Sequence, residues 1–259
     1  LGRSGSNTLR DLLNQNPEVL NYGEVLGGWN GIRKVQKYSR LLPADDEAFL
    51  DYILKSSSFP KAANTIRNLR KRVAGVGNER KAYGSLKTFG IKDFSLNFDR
   101  CGLRDYLHKN KHIKVIGLVR SNIVDRMVSN AMLSETGVVE SRGGNVQSAG
   151  IELDPNRIVE LLAAVESENS RLQEMLSEVE QERRLTIDYT KFYASEEGCA
   201  AIMQDVYRFL GVKQIVPNIR MKKIIRKPIT ETIVNYADCL SAVRGTHYEP
   251  LMIEAARNA

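Results

Sequence analysis

Seven residues, Ile113–Val119 (IKVIGLV), constrain this chain most. Apart from Lys114 the run is apolar and does not alternate, which is the pattern of a strand buried on both faces, as in a parallel sheet covered by helices. It runs into Arg120 and then a helix-like segment, Asn122–Ser134. A cation placed there stands at the carboxyl end of a strand, where open α/β sheets bind their ligands. Ser129 follows nine residues after Arg120, about two and a half helical turns on, with Arg126 on the same helix. Strand, arginine, helix and serine together form a cradle for an anion.

The opening stretch, Leu1–Thr8 (LGRSGSNT), has the makings of a second cradle. Small residues entering a helix point backbone N–H groups at one spot, and the helix dipole adds positive potential there. Ser4, Gly5, Ser6, Asn7 and Thr8 supply the loop and hydroxyl donors, and Arg3 a bidentate cation. Two cradles imply a ligand with two separate anionic groups. A phosphate-binding loop ordinarily follows a buried strand. A strand before Leu1 is therefore expected to be missing, and a signal or anchor could have gone with it.

The remaining segments alternate between strand and helix patterns. Helices are expected at Leu9–Asn16, Pro43–Lys55, Ala62–Val73, Leu103–His108, Asp154–Arg184, Glu196–Leu210 (stopped by Gly211) and Pro228–Val243. Strand character falls in Lys81–Asp93 and Leu185–Tyr189, Pro17–Gly28 reads as a strand or loop, and Trp29–Arg40, Glu135–Gly150 and Lys213–Lys227 read as loops. This alternation predicts an α/β three-layer fold with a parallel central sheet flanked by helices. The length, 259 residues, suits one domain spanning the chain.

A net charge of +7 calls for an anionic partner, be it nucleic acid, anionic lipid or a small polyanionic cofactor. The run Arg67–Arg72 (RNLRKR) reads as a solvated helix face or an acidic or glycan acceptor surface; no aromatic platform interleaves it, so nucleic acid is not expected. Cys101, Cys199 and Cys239 are far apart and odd in number, which fits buried thiols in a reduced, cytoplasmic setting and no metal site. No run approaches the length of a membrane span.

The paired motifs resemble those of sulfotransferases that use 3′-phosphoadenosine 5′-phosphosulfate (PAPS). Gly2 to Leu9, the short helix, Asn16-Pro17 and Gly23-Glu24 look like that family's 5′-phosphosulfate loop and its sequel, and Leu118-Val119-Arg120 with Ser129 look like its 3′-phosphate motif. The nine-residue offset and the Val128-Ser129-Asn130-Ala131-Met132 ending are similar to the bacterial nodulation and trehalose 2-sulfotransferase branch. So are Leu185–Tyr189, Arg208–Val212, Ile233–Tyr236 and Gly245–Glu249. Asn7 departs from the family loop, Thr190 stands where a glutamate is usual, and Pro228 replaces a glycine after the basic pair Arg226-Lys227.

The resemblance implies a P-loop-like fold, PAPS as sulfuryl donor, and a hydroxylated small-molecule or glycan acceptor. Arg3 to Thr8 would hold the 5′-phosphosulfate. Arg120 and Ser129 would hold the 3′-phosphate, with Arg226 and Lys227 over it. Sulfuryl transfer then needs a base for the acceptor hydroxyl, and Glu24 resembles the base of this branch. His108, His112 and His247 are the other candidates, and Lys92 could line the site. Two other readings stay open. One is a nucleotide-dependent kinase, although G-x-x-x-x-G-K-[ST] is absent. The other is a non-enzymatic basic module for nucleic acid or anionic lipid, led by residues 67–72.

Overall fold

Leucines three and four apart drive the first helix onto a short strand. Leu9, Leu12 and Leu13 are all buried on one face of α1 (Ser6–Gln15), against β1 (Val19–Asn21). The computed structural model describes residues 5–75, 80–136, 150–218 and 228–257. The expected loop at 135–150 lies largely outside these residues, as does the second half of Lys213–Lys227.

Three helices follow β1: α2 (Gly31–Tyr38), α3 (Asp46–Lys55) and α4 (Ser58–Val73). The first corrects the loop expected at Trp29–Arg40. It starts at an Asn30 cap, whose Oδ1 accepts from Ile32 N at 2.9 Å. Its inner face is polar, because Arg33 and Gln36 are buried on the Asp46 carboxylate. Beyond α4 come β2 (Thr88–Gly90), α5 (Ser95–Arg100), α6 (Tyr106–Lys109), β3 (Val115–Val119) and α7 (Ile123–Thr136).

The long helix expected over Asp154–Arg184 is shorter. Asp154 caps a 3-10 turn at Pro155–Arg157, α8 covers Ile158–Ser177, and a second 3-10 turn at Gln181–Arg183 leads into β4 (Arg184–Asp188). There the Arg183 side chain donates to the carbonyls of Ile113, at 3.0 Å, and Leu107, at 2.8 Å, tying the turn to the chain before β3. Next are α9 (Tyr189–Phe192) and α10 (Glu196–Leu210), which ends as expected at Gly211 in the left-handed region, φ 74°. The single helix expected over Pro228–Val243 is two short ones, α11 (Ile229–Thr232) and α12 (Tyr236–Ala242), and α13 (Tyr248–Arg257) follows. Ile233 leaves the helical path to form a parallel bridge with Ile151.

The fold is mixed α/β, with short parallel strands. Among the described residues they form two parallel pairs, β1–β2 and β3–β4, instead of one continuous sheet. A cavity of about 470 Å³ touches all of β2 and residues Val115 to Leu118 of β3. Lys87 and Lys114 line it near the start of these strands, and Lys92 and Arg120 where they end.

Three apolar clusters hold the layers. α1, β4 and α10 share one, α7, α8 and the C-terminal helices a second, and α3 with Val25, Leu26 and Phe98 a third. The three cysteines are free thiols; Cys199 and Cys239 are buried and Cys101 half-buried. Among the described residues no helix is long and apolar enough to cross a membrane.

Candidate functional site

The helix begins earlier than the leucine pattern indicated, and this changes the opening loop. Ser6, Asn7 and Thr8 form the first turn of α1, where the dipole is positive; Thr8 N and Leu9 N donate to Gly5 O at 3.0 and 3.3 Å, and the Ser6 and Asn7 N–H groups precede any intrahelical acceptor. Gly5 enters that turn at φ 74°, a conformation that favours glycine. A Cβ there would also lie 2.6 Å from Tyr193 Cε2 and 2.8 Å from Tyr189 Cε2. The Tyr193 hydroxyl donates to Gly5 O at 3.2 Å and shares a side-chain hydrogen bond with Thr8. Burial pushes this phenol well above its ordinary range, so it stays a neutral donor. Arg3 and Ser4 lie outside the described residues.

Arg120 follows β3, as expected, and its side chain is buried. The guanidinium carbon sits 4.4 Å from the centroid of the Tyr189 ring, and Tyr189 packs on Tyr193 with centroids 4.6 Å apart. The two sequence cradles are therefore joined: Arg120 rests on Tyr189, and the tyrosine pair rests on Gly5. Asp125 approaches Arg120 Nη2 at 3.8 Å, from a side chain that is 45% exposed. Ser129, also buried, sits on α7.

Arg126 has different work. It bonds Asn169 Oδ1 at 2.6 Å and forms a buried ion pair with Glu168, while Asn169 Nδ2 donates to the Arg120 carbonyl at 2.9 Å. Burial lowers the Arg126 pKa, against the pull of Glu168. This network ties α7 to α8 and holds the backbone under Arg120.

Glu24 lies in a tightly held loop. Asp93 Oδ2 accepts from both Val25 N and Leu26 N at 2.8 Å, and the two apolar side chains turn inward. Asn30 bonds the Glu24 carbonyl from the far side. The Glu24 carboxylate pairs with Lys92 through Oε1 and accepts from Trp29 Nε1 at 2.7 Å through Oε2. Its side chain keeps 18% exposure. Each carboxylate oxygen has two acceptor sites, so these partners leave capacity for a third donor. Burial pushes the Lys92 ammonium down, opposed by Glu24 and Asp93. Arg10, on α1, acts electrostatically on Lys92, and Ser6, Arg10, Lys92 and Arg120 line the same cavity.

Tyr193, Trp29 and Asp93 were not singled out from the sequence. Tyr193 is recognisable only through a contact 188 residues away, whereas an aromatic at the close of the expected strand Leu185–Tyr189 was a visible cue for Tyr189, which the structure places just after β4 as the first residue of α9. His108 bonds the Glu178 carbonyl and precedes β3 together with His112, while His247 pairs with Glu166 on α8. The Arg67–Arg72 run lies on the last turns of α4, where Arg70 and Arg72 are exposed beside exposed Ile66, Leu69 and Val73. Arg226 and Lys227 lie outside the described residues. No family model and no curated protein matches this chain.

Proposed function

We propose that this chain is a PAPS-dependent sulfotransferase that forms a sulfate ester on a hydroxyl of a carbohydrate or glycolipid. What supports the reading is the continuous contact from Arg120 through Tyr189 and Tyr193 to Gly5, which brings together the opening stretch and a strand-to-helix turn more than a hundred residues later. The donor set suits a nucleotide with two anionic ends. One end has helix N–H groups and the hydroxyl of Ser6, with Thr8 held by Tyr193. The other has a buried guanidinium with the Ser129 hydroxyl nearby in sequence. Arg3 and Ser4 would join the first group, and Arg226 and Lys227 the second.

We take the two parallel pairs as parts of a three-layer P-loop-like fold. The cavity lined by both β2 and β3, with Leu9, Phe89, Ile116 and Met175 in its wall, supports this arrangement.

The bound donor supplies the sulfuryl group: an S–O bond forms to the acceptor oxygen as the S–O bond to the 5′-phosphate breaks, its electron pair staying on the phosphate. The chain's part is positioning and charge stabilisation. The first turn of α1 donates to the phosphate end. Arg120, seated on Tyr189, fixes the 3′ end. Glu24 takes the acceptor proton, and Lys92 and Trp29 hold its carboxylate in one orientation.

Transfer of label from sulfur-labelled PAPS to a panel of hydroxylated acceptors tests this. A sulfate ester formed by the native chain but not by Arg120→Ala supports it. Binding of ATP with magnesium in place of PAPS would favour a kinase. A second reading, a basic module on anionic lipid, is favoured by Ile66, Leu69 and Val73 exposed beside Arg70 and Arg72. Vesicle binding that survives Arg120→Ala and is lost in Leu69→Glu would support it.

A further inference from the structure

Trp29 is the single tryptophan of the chain, and it is 59% exposed. A large apolar ring left in water is ordinarily free to turn, but this one is fixed at two points. Its Nε1–H donates to Glu24 Oε2 at 2.7 Å. Its benzo ring lies on the backbone of Gly27, where an added Cβ would come 2.5 Å from Cζ2. The loop beneath is itself held: Asn30 N donates to Gly27 O at 3.0 Å, and Val25 and Leu26 are buried with their N–H groups on Asp93. One face of the indole is therefore seated on a rigid loop and the other is open to solvent, with a carboxylate and an ammonium at its edge.

We propose that the open face of Trp29 is the acceptor subsite, stacking the apolar C–H face of a pyranose ring and bringing a ring hydroxyl to Glu24. An indole N–H bond lies in the ring plane, so the Glu24 carboxylate stands at the edge of the platform. A sugar stacked at van der Waals separation, about 3.5–4.0 Å above the indole, projects its equatorial hydroxyls outward over that edge. The Glu24 carboxylate at that edge, with acceptor capacity left beside Lys92 and Trp29, suits a hydroxylated rim. A phenolic acceptor has no such rim and calls for an enclosed apolar pocket, unlike this open surface. Gly27 is then a positioning residue, since any side chain there lifts the indole from its seat. The fate of the hydroxyl rests on the sulfotransferase reading; binding of the sugar rests on Trp29 alone.

Because no other tryptophan is present, emission excited at the indole band reports this subsite directly. The full chain is titrated with gluco-, galacto- and manno-configured disaccharides, and with simple phenols for comparison. A saturable emission change with at least one disaccharide is expected. Calorimetry with the same sugar should show binding weakened about tenfold or more in Gly27→Ala and abolished in Trp29→Ala, with adenosine 3′,5′-bisphosphate binding unchanged in both. Emission insensitive to every disaccharide, a response to phenols alone, or sugar binding that survives Trp29→Ala would each overturn the platform. If the nucleotide still binds in those cases, the sulfotransferase reading stands without it. Saturable sugar binding in a chain that takes no nucleotide would sink that reading and leave the platform standing.

Discussion

The guanidinium of Arg120 lies 4.4 Å from the centre of the Tyr189 ring. An aromatic face partly compensates a buried cation without using the hydrogen-bond donors that an anion needs. Tyr189→Phe keeps that face and should bind adenosine 3′,5′-bisphosphate nearly as the native chain does. Tyr189→Ala removes it and should weaken binding about 3- to 30-fold, the range of a partly desolvated cation–π contact. Titration calorimetry on the two variants checks the difference.

Glu24 is assigned the acceptor proton. Glu24→Gln keeps the size of the side chain and can still accept from Trp29 Nε1, but it cannot serve as the base. Turnover should fall by about 10²- to 10⁴-fold, while nucleotide affinity holds. A loss of nucleotide affinity in place of turnover would mean that Glu24 only supports the loop through Lys92.

Gly5→Ala meets two obstacles, a positive φ and the packed tyrosine pair. The left-handed backbone and the overpacking together should cost about 2–4 kcal/mol. The thermal midpoint should drop accordingly, whereas Gly28→Ala, with nothing within 4 Å of its added Cβ, should shift it little.

Asp46 carries the acid sensitivity of α2. Its hydrogen bond from the buried Arg33 guanidinium holds the carboxyl down at about 2. The folded state thus keeps Asp46 charged at pH values where the unfolded chain protonates it. This stabilisation is complete above about pH 4 and is lost as the pH falls through about 2. Asp46→Asn should be less stable than the native chain at neutral pH, and the gap should narrow on acidification. Thermal melts of both proteins between pH 2 and 7 measure it.

Elements whose burial is written in local apolar spacing were legible in the sequence. Leu118 and Val119 mark the buried end of β3. In α10 the spacing points Ile202, Val206, Phe209 and Leu210 inward; the structure buries Val206 with Cys199, Met203 and Tyr207, and leaves the other three half-buried. α2 was not legible, because its buried positions are Arg33 and Gln36, and their burial depends on Asp46, which belongs to the next helix. The break at Ile233 depends on Ile151, eighty-two residues earlier in the chain. The cradle residues were legible as motifs, and the structure connects Gly5 with Arg120. Their mediator Tyr193 and the Lys92 and Trp29 grip on Glu24 come from distant or unpatterned positions, which no local period reveals.

The most direct measurement is calorimetric titration of the chain with adenosine 3′,5′-bisphosphate, beside Arg120→Ala. A PAPS-dependent sulfotransferase gives saturable one-to-one binding, weakened about 30-fold or more when Arg120 loses its charge-assisted hydrogen bonds to phosphate. A folded native chain that shows no binding at millimolar nucleotide, or binds equally well without Arg120, would contradict it.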